Sequence, residues 1–232
     1  MTEPERFFFM HLQKTAGTAL WRRLQRQFAP DAMYPGPGDG SPPETVLSVD
    51  HLLERWSRRR DDIRIVTGHF PLCTVDLLDG QFRTLTLLRE PVERTLSYLR
   101  HHRATTPEDA DRPFDEIYED PIRFELVHNH MVKMLSLGAP EMSDGMLTPV
   151  EFDRDRLARA QSALDRIDVV GFQEDFEAFC AELTHRFGWD LGDPVFMNRT
   201  EPVEVQAGFR ARIELDNVLD VELYEYARSV RT

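Results

Sequence analysis

RFFFMHLQKTAGTAL, residues 6–20, runs four apolar residues into a polar loop and then into the start of a helix. FFFMH reads as a first strand. GTALWRRLQRQF reads as an amphipathic helix, with Leu20, Trp21, Leu24 and Phe28 at helical spacing. Lys14 stands out in the loop between them. It is one of only two lysines, the other being Lys133, in a chain with 26 arginines. A lysine offers a compact point charge where arginine offers a planar fork, so a lysine at this strand-to-helix junction points to a specific electrostatic task.

Further along, IRIVTGHF and FRTLTLL have the β-branched, apolar character of buried parallel strands, and DVVGF reads as a fourth strand. PVERTLSYLRHHR starts a helix with Pro91 in its first turn. Four more helices are expected over FELVHNHMVKMLSL, EFDRDRLARAQSALDRI, EDFEAFCAELTHRFG and DNVLDVELYEYARSV. Strands alternating with helices predict an α/β fold, a single domain whose central parallel sheet is flanked by helices. Ligands of such folds bind at the carboxyl ends of the strands. HLQKTAGT, TGHF and LREP lie at such ends.

The chain has 232 residues and a net charge of −13, unevenly placed. Residues 1–103 carry 15 Lys+Arg against 13 Asp+Glu, a net +2, and residues 104–232 carry 13 against 28, a net −15. This balance disfavours nonspecific binding to nucleic acid or anionic membranes, and directs the search for an anion site to the N-terminal half. No apolar run is long enough to span a membrane, and MTEPER does not open a secretion signal, so a cytoplasmic location is expected. Cys73 and Cys180 lack metal-ligand spacing and read as small buried apolar residues.

A strand that ends in a turn with Gly17, flanked by Thr15 and Thr18 at a helix start, presents free backbone N–H groups and the positive end of a helix dipole to one point. Lys14 adds a full charge there. The order of residues differs from the nucleotide-triphosphate loop G-x-x-x-x-G-K-[ST], where the lysine follows the second glycine. Arg89 at the next candidate strand end and Ser97 on the following helix can hold a phosphate, the guanidinium by paired hydrogen bonds, and Arg94 shares a face with Ser97 by its spacing. Taken singly, the loop also fits a capped helix start, and Arg89 fits a structural ion pair.

Two anion sites at neighbouring strand ends suit a ligand with two separated phosphate-like groups. FMHLQKTAGT resembles the 5′-phosphosulfate loop, and LTLLREPVERTLSYLRHHR the 3′-phosphate segment, of sulfotransferases that use 3′-phosphoadenosine 5′-phosphosulfate (PAPS). The resemblance is greatest to the carbohydrate branch, the heparan sulfate 6-O- and 2-O-sulfotransferases. HNHMVKML, VVGFQEDF and LDVELYEYA extend it over most of the chain. It implies a P-loop-NTPase-like sulfotransferase fold over 1–232, with a nucleotide-binding core mainly at 6–104 and a closing segment near 167–200.

By this resemblance the backbone of Lys14, Thr15, Ala16, Gly17 and Thr18, with the side chains of Lys14, Thr15 and Thr18, holds the phosphosulfate. Arg89 and Ser97 hold the 3′-phosphate, and Arg199 and Thr200 of NRT belong to a loop that closes over the nucleotide. Lys14 stabilises charge on the bridging oxygen, and no metal is expected. His69, which ends the strand VTGHF, matches the family's catalytic base, a role suited to histidine at neutral pH. Gln13 stands where many members have proline, although the 6-O branch resembles this sequence in having glutamine. His11 is expected to be structural, His101 and His102 to lie on a solvated helix face, and His128 and His130 to border the acceptor site.

The expected partner is a hydroxyl-bearing acceptor, a glycan or a small molecule. A half-chain at −15 suits a neutral sugar, a glycolipid or a cationic molecule better than a sulfated polyanion, unless Arg22, Arg23, Arg26 and Arg58 to Arg60 form a local track. The Pro/Gly-rich loop from Pro35 to Pro43 and the acidic segment from Thr106 to Asp120 are candidate walls of the acceptor cleft. Two rival readings remain on the residues alone: a magnesium-dependent kinase using the Thr15 hydroxyl, and a noncatalytic nucleotide-binding module. No sequence feature sets the oligomeric state.

Overall fold

The first strand, β1 (Arg6–Met10), is buried on both faces: Phe8 and Met10 enter one apolar cluster, Phe7 and Phe9 the other. Such a strand needs a neighbour on each edge and helices on each face. Both are present in the computed structural model, which describes residues 5–193 and 205–231. After β1 come α1 (Gly17–Gln27), β2 (Met33–Tyr34), α2 (Glu44–Leu47), α3 (Val49–Arg59), β3 (Ile65–Gly68), β4 (Phe82–Leu88) and α4 (Pro91–Thr105). The chain continues through α5 (Phe114–Tyr118), α6 (Pro121–Val127), α7 (His130–Ser136), α8 (Arg154–Asp165), β5 (Val169–Phe172), α9 (Phe176–Phe187), α10 (Ala207–Asp216) and α11 (Val218–Arg231).

The five strands form one parallel sheet in the order β2-β3-β1-β4-β5. Met10 pairs with Gly68 on one side and with Thr86 on the other. The loop after β1 therefore emerges between the ends of β3 and β4, with His69 on one flank and Arg89 on the other.

The four expected strands are present. The fifth, β2, is two residues just before the Pro/Gly-rich loop, too short to show any periodicity. The segment expected as one helix over FELVHNHMVKMLSL is two, α6 and α7, broken at Asn129, whose backbone is left-handed with φ 43°. Asn129 N–H donates to Asn217 Oδ1 (2.8 Å), and Asn129 Oδ1 accepts from Asp220 N–H (3.0 Å). Tertiary bonds to α11 and its approach thus replace the helical ones. Asp220 in turn accepts from the N–H groups of Met131 and Val132 at the start of α7.

Arg94, fully buried on α4, lies 3.9 Å from the Asp220 carboxylate and donates to the Val127 carbonyl. Burial pushes the Asp220 carboxyl up to about 6 despite this guanidinium. Cys73 and Cys180 are free and buried, and burial raises their thiols to about 12 and about 11. No helix among the described residues is long and apolar enough to cross a membrane.

Candidate functional site

The loop leaving β1 is built from its own backbone. His11 N–H donates to Gly68 O (3.1 Å), Leu12 N–H to Met10 O (3.2 Å), and the Thr15 hydroxyl to Leu12 O (2.9 Å). Lys14 and Ala16 are both left-handed, with φ 66° and 68°, a conformation uncommon outside glycine. Ala16 caps α1 and accepts from the N–H groups of Ala19 and Leu20. The first N–H groups of a helix have no intrahelical acceptor. Among the described residues, none of the N–H groups from Thr15 to Thr18 meets a backbone acceptor either. The turn is thus a concave nest of donors at the positive end of α1.

Two cations flank the nest. Arg89 Nη1 donates to the Lys14 carbonyl (3.0 Å), and Arg89 Nε is buried with no partner among the described residues. Burial and then the Arg89 charge lower Lys14 to about 8, and burial also lowers Arg89. Two depressed cations side by side are stabilised by an anion, which favours the charged form of both.

On the opposite flank, His69 Nδ1 lies 2.6 Å from the His11 carbonyl oxygen. A carbonyl only accepts, so Nδ1 carries the proton and Nε2 keeps its lone pair. The His69 N–H donates to Val46 O (2.7 Å), which fixes the residue from both sides. Burial, then the Lys14 charge, hold the imidazole below its ordinary pKa, against the raising effect of the His11 bond.

The His11 ring lies 4.4 Å from that of His69 and stacks on Phe9. It fills the space over Gly17 so closely that a β-carbon there would fall 1.9 Å from His11 Cδ2. His11 is likewise held well below its ordinary value by burial, then by His69 and Lys14. His130 is buried, and its Nε2 accepts a long 3.5 Å bond from Gln13 N–H. Gln13 Nε2 donates to Met146 Sδ (3.6 Å), and Gln13 Oε1 is buried without a partner among the described residues.

The structure brings Lys14, Ala16, Gly17, Arg89 and His69 together around one loop, with Thr18 exposed in the first turn of α1 and Ser97 partly exposed on α4. The Thr15 side chain is fully buried and its hydroxyl proton is donated to Leu12 O, so its N–H is the donor it has free for a ligand. Arg94 does not share a surface with Ser97, since it is buried against Asp220. Arg199 and Thr200 lie outside the described residues. His101 is exposed, but His102 is tied to Thr106 and to Arg123 Nε (2.7 Å) instead of facing solvent. His128 packs between Phe124 and Phe152.

Each of the two candidate cleft walls is mostly exposed and is anchored by one buried carboxylate. Asp39, buried, accepts from Arg59 (2.6 Å) and from Gly36 N–H (2.7 Å), while Asp109 is buried between Arg112 and Arg123. Of both segments only Pro43 lines either of two clefts of about 480 Å³. Sequence reasoning missed Val46, which acts through a backbone carbonyl and so leaves no side-chain signature.

No protein-family model and no curated protein matches the chain. Among solved structures it is similar to a sulfotransferase from Alicyclobacillus acidocaldarius, at 17% identity over 97% of this chain and 95% of that one, with a TM-score of 0.52. The likeness covers nearly the whole of both chains, and at this identity it speaks for the architecture. The five-stranded parallel sheet with helices on both faces is a sulfotransferase fold.

Proposed function

We propose that this chain is a sulfotransferase that moves a sulfuryl group from PAPS to a hydroxyl of an acceptor, a glycan or a smaller alcohol. The observation that carries the reading is the pairing of His69 Nδ1 with the His11 carbonyl, which leaves a neutral Nε2 beside a donor nest and Lys14. The donor's two anionic groups fit the residues present. The free N–H groups of 15–18 with Lys14 take the phosphosulfate, and Arg89 Nε, buried and unpartnered among the described residues, together with Ser97 takes the 3′-phosphate.

His69 Nε2 accepts the proton of the acceptor hydroxyl as that oxygen bonds to sulfur. The bond from sulfur to the bridging phosphate oxygen breaks, and Lys14 neutralises the charge left on that oxygen. The products are the sulfate ester, 3′,5′-ADP and a proton held on His69. The protein's part is positioning and preorganised charge.

The kinase reading needs a hydroxyl after the lysine for magnesium and a carboxylate at a strand end. The Thr15 hydroxyl is already bonded to Leu12 O, β3 ends at Gly68 with His69 following it, and Glu90 after β4 caps α4 by accepting from Val92 and Glu93 N–H. The experiment is incubation with labelled PAPS and a panel of sugars and alcohols, beside calorimetric titration of 3′,5′-ADP. Tight binding without transfer in the wild type would favour the noncatalytic module instead.

A further inference from the structure

On the His69 side of the loop lies a cleft of about 480 Å³ between the α2–α3 corner and residues 139–147. That volume lies within the range of small-molecule sites. The cleft walls are fixed to the site at two points. Val46 of α2, next to the lining residue Leu47, accepts the His69 N–H, and Met146 of the other wall accepts from Gln13, next to Lys14. The walls meet where Gly145 packs on the Leu47 carbonyl; a β-carbon there would lie 3.1 Å from it, on a backbone at φ +50°.

The lining has two chemistries. Leu47, Val49, Leu53 and Met146 make an apolar floor, and Leu77 and Leu147, two of the exposed large hydrophobic residues, stand 38% and 41% exposed at its edge. Its charged lining residues, Glu44, Asp50 and Asp144, are all acidic and exposed. Of the six arginines that would guide a polyanion, four pair with carboxylates: Arg23 with Glu177, Arg58 with Glu54, Arg59 with Asp39 and Arg60 with Asp79.

We infer that this cleft takes the acceptor, and that the acceptor is an amphipathic alcohol with an apolar body and a cationic group distant from the reacting hydroxyl. The inference rests on the sulfotransferase reading. Apolar surface recognises the body, the carboxylates attract the cation, and a sulfated polysaccharide is repelled by the same charges.

The test uses three probes of one chain length, ω-aminooctanol, octanediol and ω-hydroxyoctanoate, with labelled PAPS as donor. The wild type is expected to sulfate them in that order of kcat/KM. In Asp50→Asn and Asp144→Asn the KM for aminooctanol should rise about threefold per carboxylate, with little change for octanediol. Titration of 3′,5′-ADP, expected to match wild type, verifies that each variant is folded. Preference for hydroxyoctanoate, an unchanged ratio in both variants, or 3′,5′-ADP binding with no probe sulfated overturns the acceptor inference alone. Absence of both transfer and 3′,5′-ADP binding overturns the sulfotransferase reading with it.

Discussion

His69 Nδ1 sits 2.6 Å from the backbone oxygen of His11, so the first residue beyond one strand is oriented by the first residue beyond its neighbour. The base is thereby set by sheet register: a one-residue slip of β3 against β1 would carry it to the other face. His69→Ala should cut kcat by about 10²- to 10⁴-fold, the usual contribution of a positioned acid–base group, while 3′,5′-ADP binding stays near wild type. Single-turnover transfer and calorimetry on the same preparation check both parts.

The pH profile of kcat/KM should be bell-shaped. His69 must be neutral to accept a proton, so activity falls on acidification through its pKa, which burial places below the ordinary 6.5. Lys14 must be charged, so activity falls as pH rises through about 8. Lys14→Arg keeps a charge that does not titrate in this range, and its residual activity should lose the alkaline limb. It should also lose most turnover, because a planar fork follows the bridging oxygen less well than a point charge, yet largely retain nucleotide binding.

How much of this was legible in the sequence depends on range. The junction from β1 through the loop to α1, and that from β4 to α4, were readable because apolar periodicity, Gly17 and Pro91 mark them locally. The break between α6 and α7 was not, because an apolar helical pattern runs through Asn129 and only bonds to Asn217 and Asp220, some 90 residues away, turn the backbone. The burial of the Thr15 hydroxyl was equally hidden. A Thr beside a Lys in such a loop gives no sign that its hydroxyl proton goes to the Leu12 carbonyl.

Gly17→Ala tests the packing behind the base. Its β-carbon meets the His11 ring at 1.9 Å, so either the ring or the start of α1 must move. A loss of stability of about 1–3 kcal/mol is expected, as for overpacked cores, with a larger loss of activity because His11 carries the carbonyl that orients His69. Adding His11→Ala should restore the melting temperature, since it removes the clashing ring.

Asp220→Ala leaves the Arg94 guanidinium buried without its counter-charge and removes the acceptor for the Met131 and Val132 N–H groups. Destabilisation of about 3–5 kcal/mol is expected from the loss of one member of a buried pair. Urea unfolding measures it. An effect below about 1 kcal/mol would mean that the pair does not hold α4, α7 and α11 together.

Sulfuryl transfer with His69 as base is measured by label transfer from sulfur-35 PAPS to a panel of hydroxylated acceptors by wild type and His69→Ala in parallel. Wild type is expected to form a labelled sulfate ester, and the variant to lose nearly all of that product while still binding 3′,5′-ADP. Undiminished transfer by His69→Ala, or a wild type that neither transfers label nor binds 3′,5′-ADP, would contradict this mechanism.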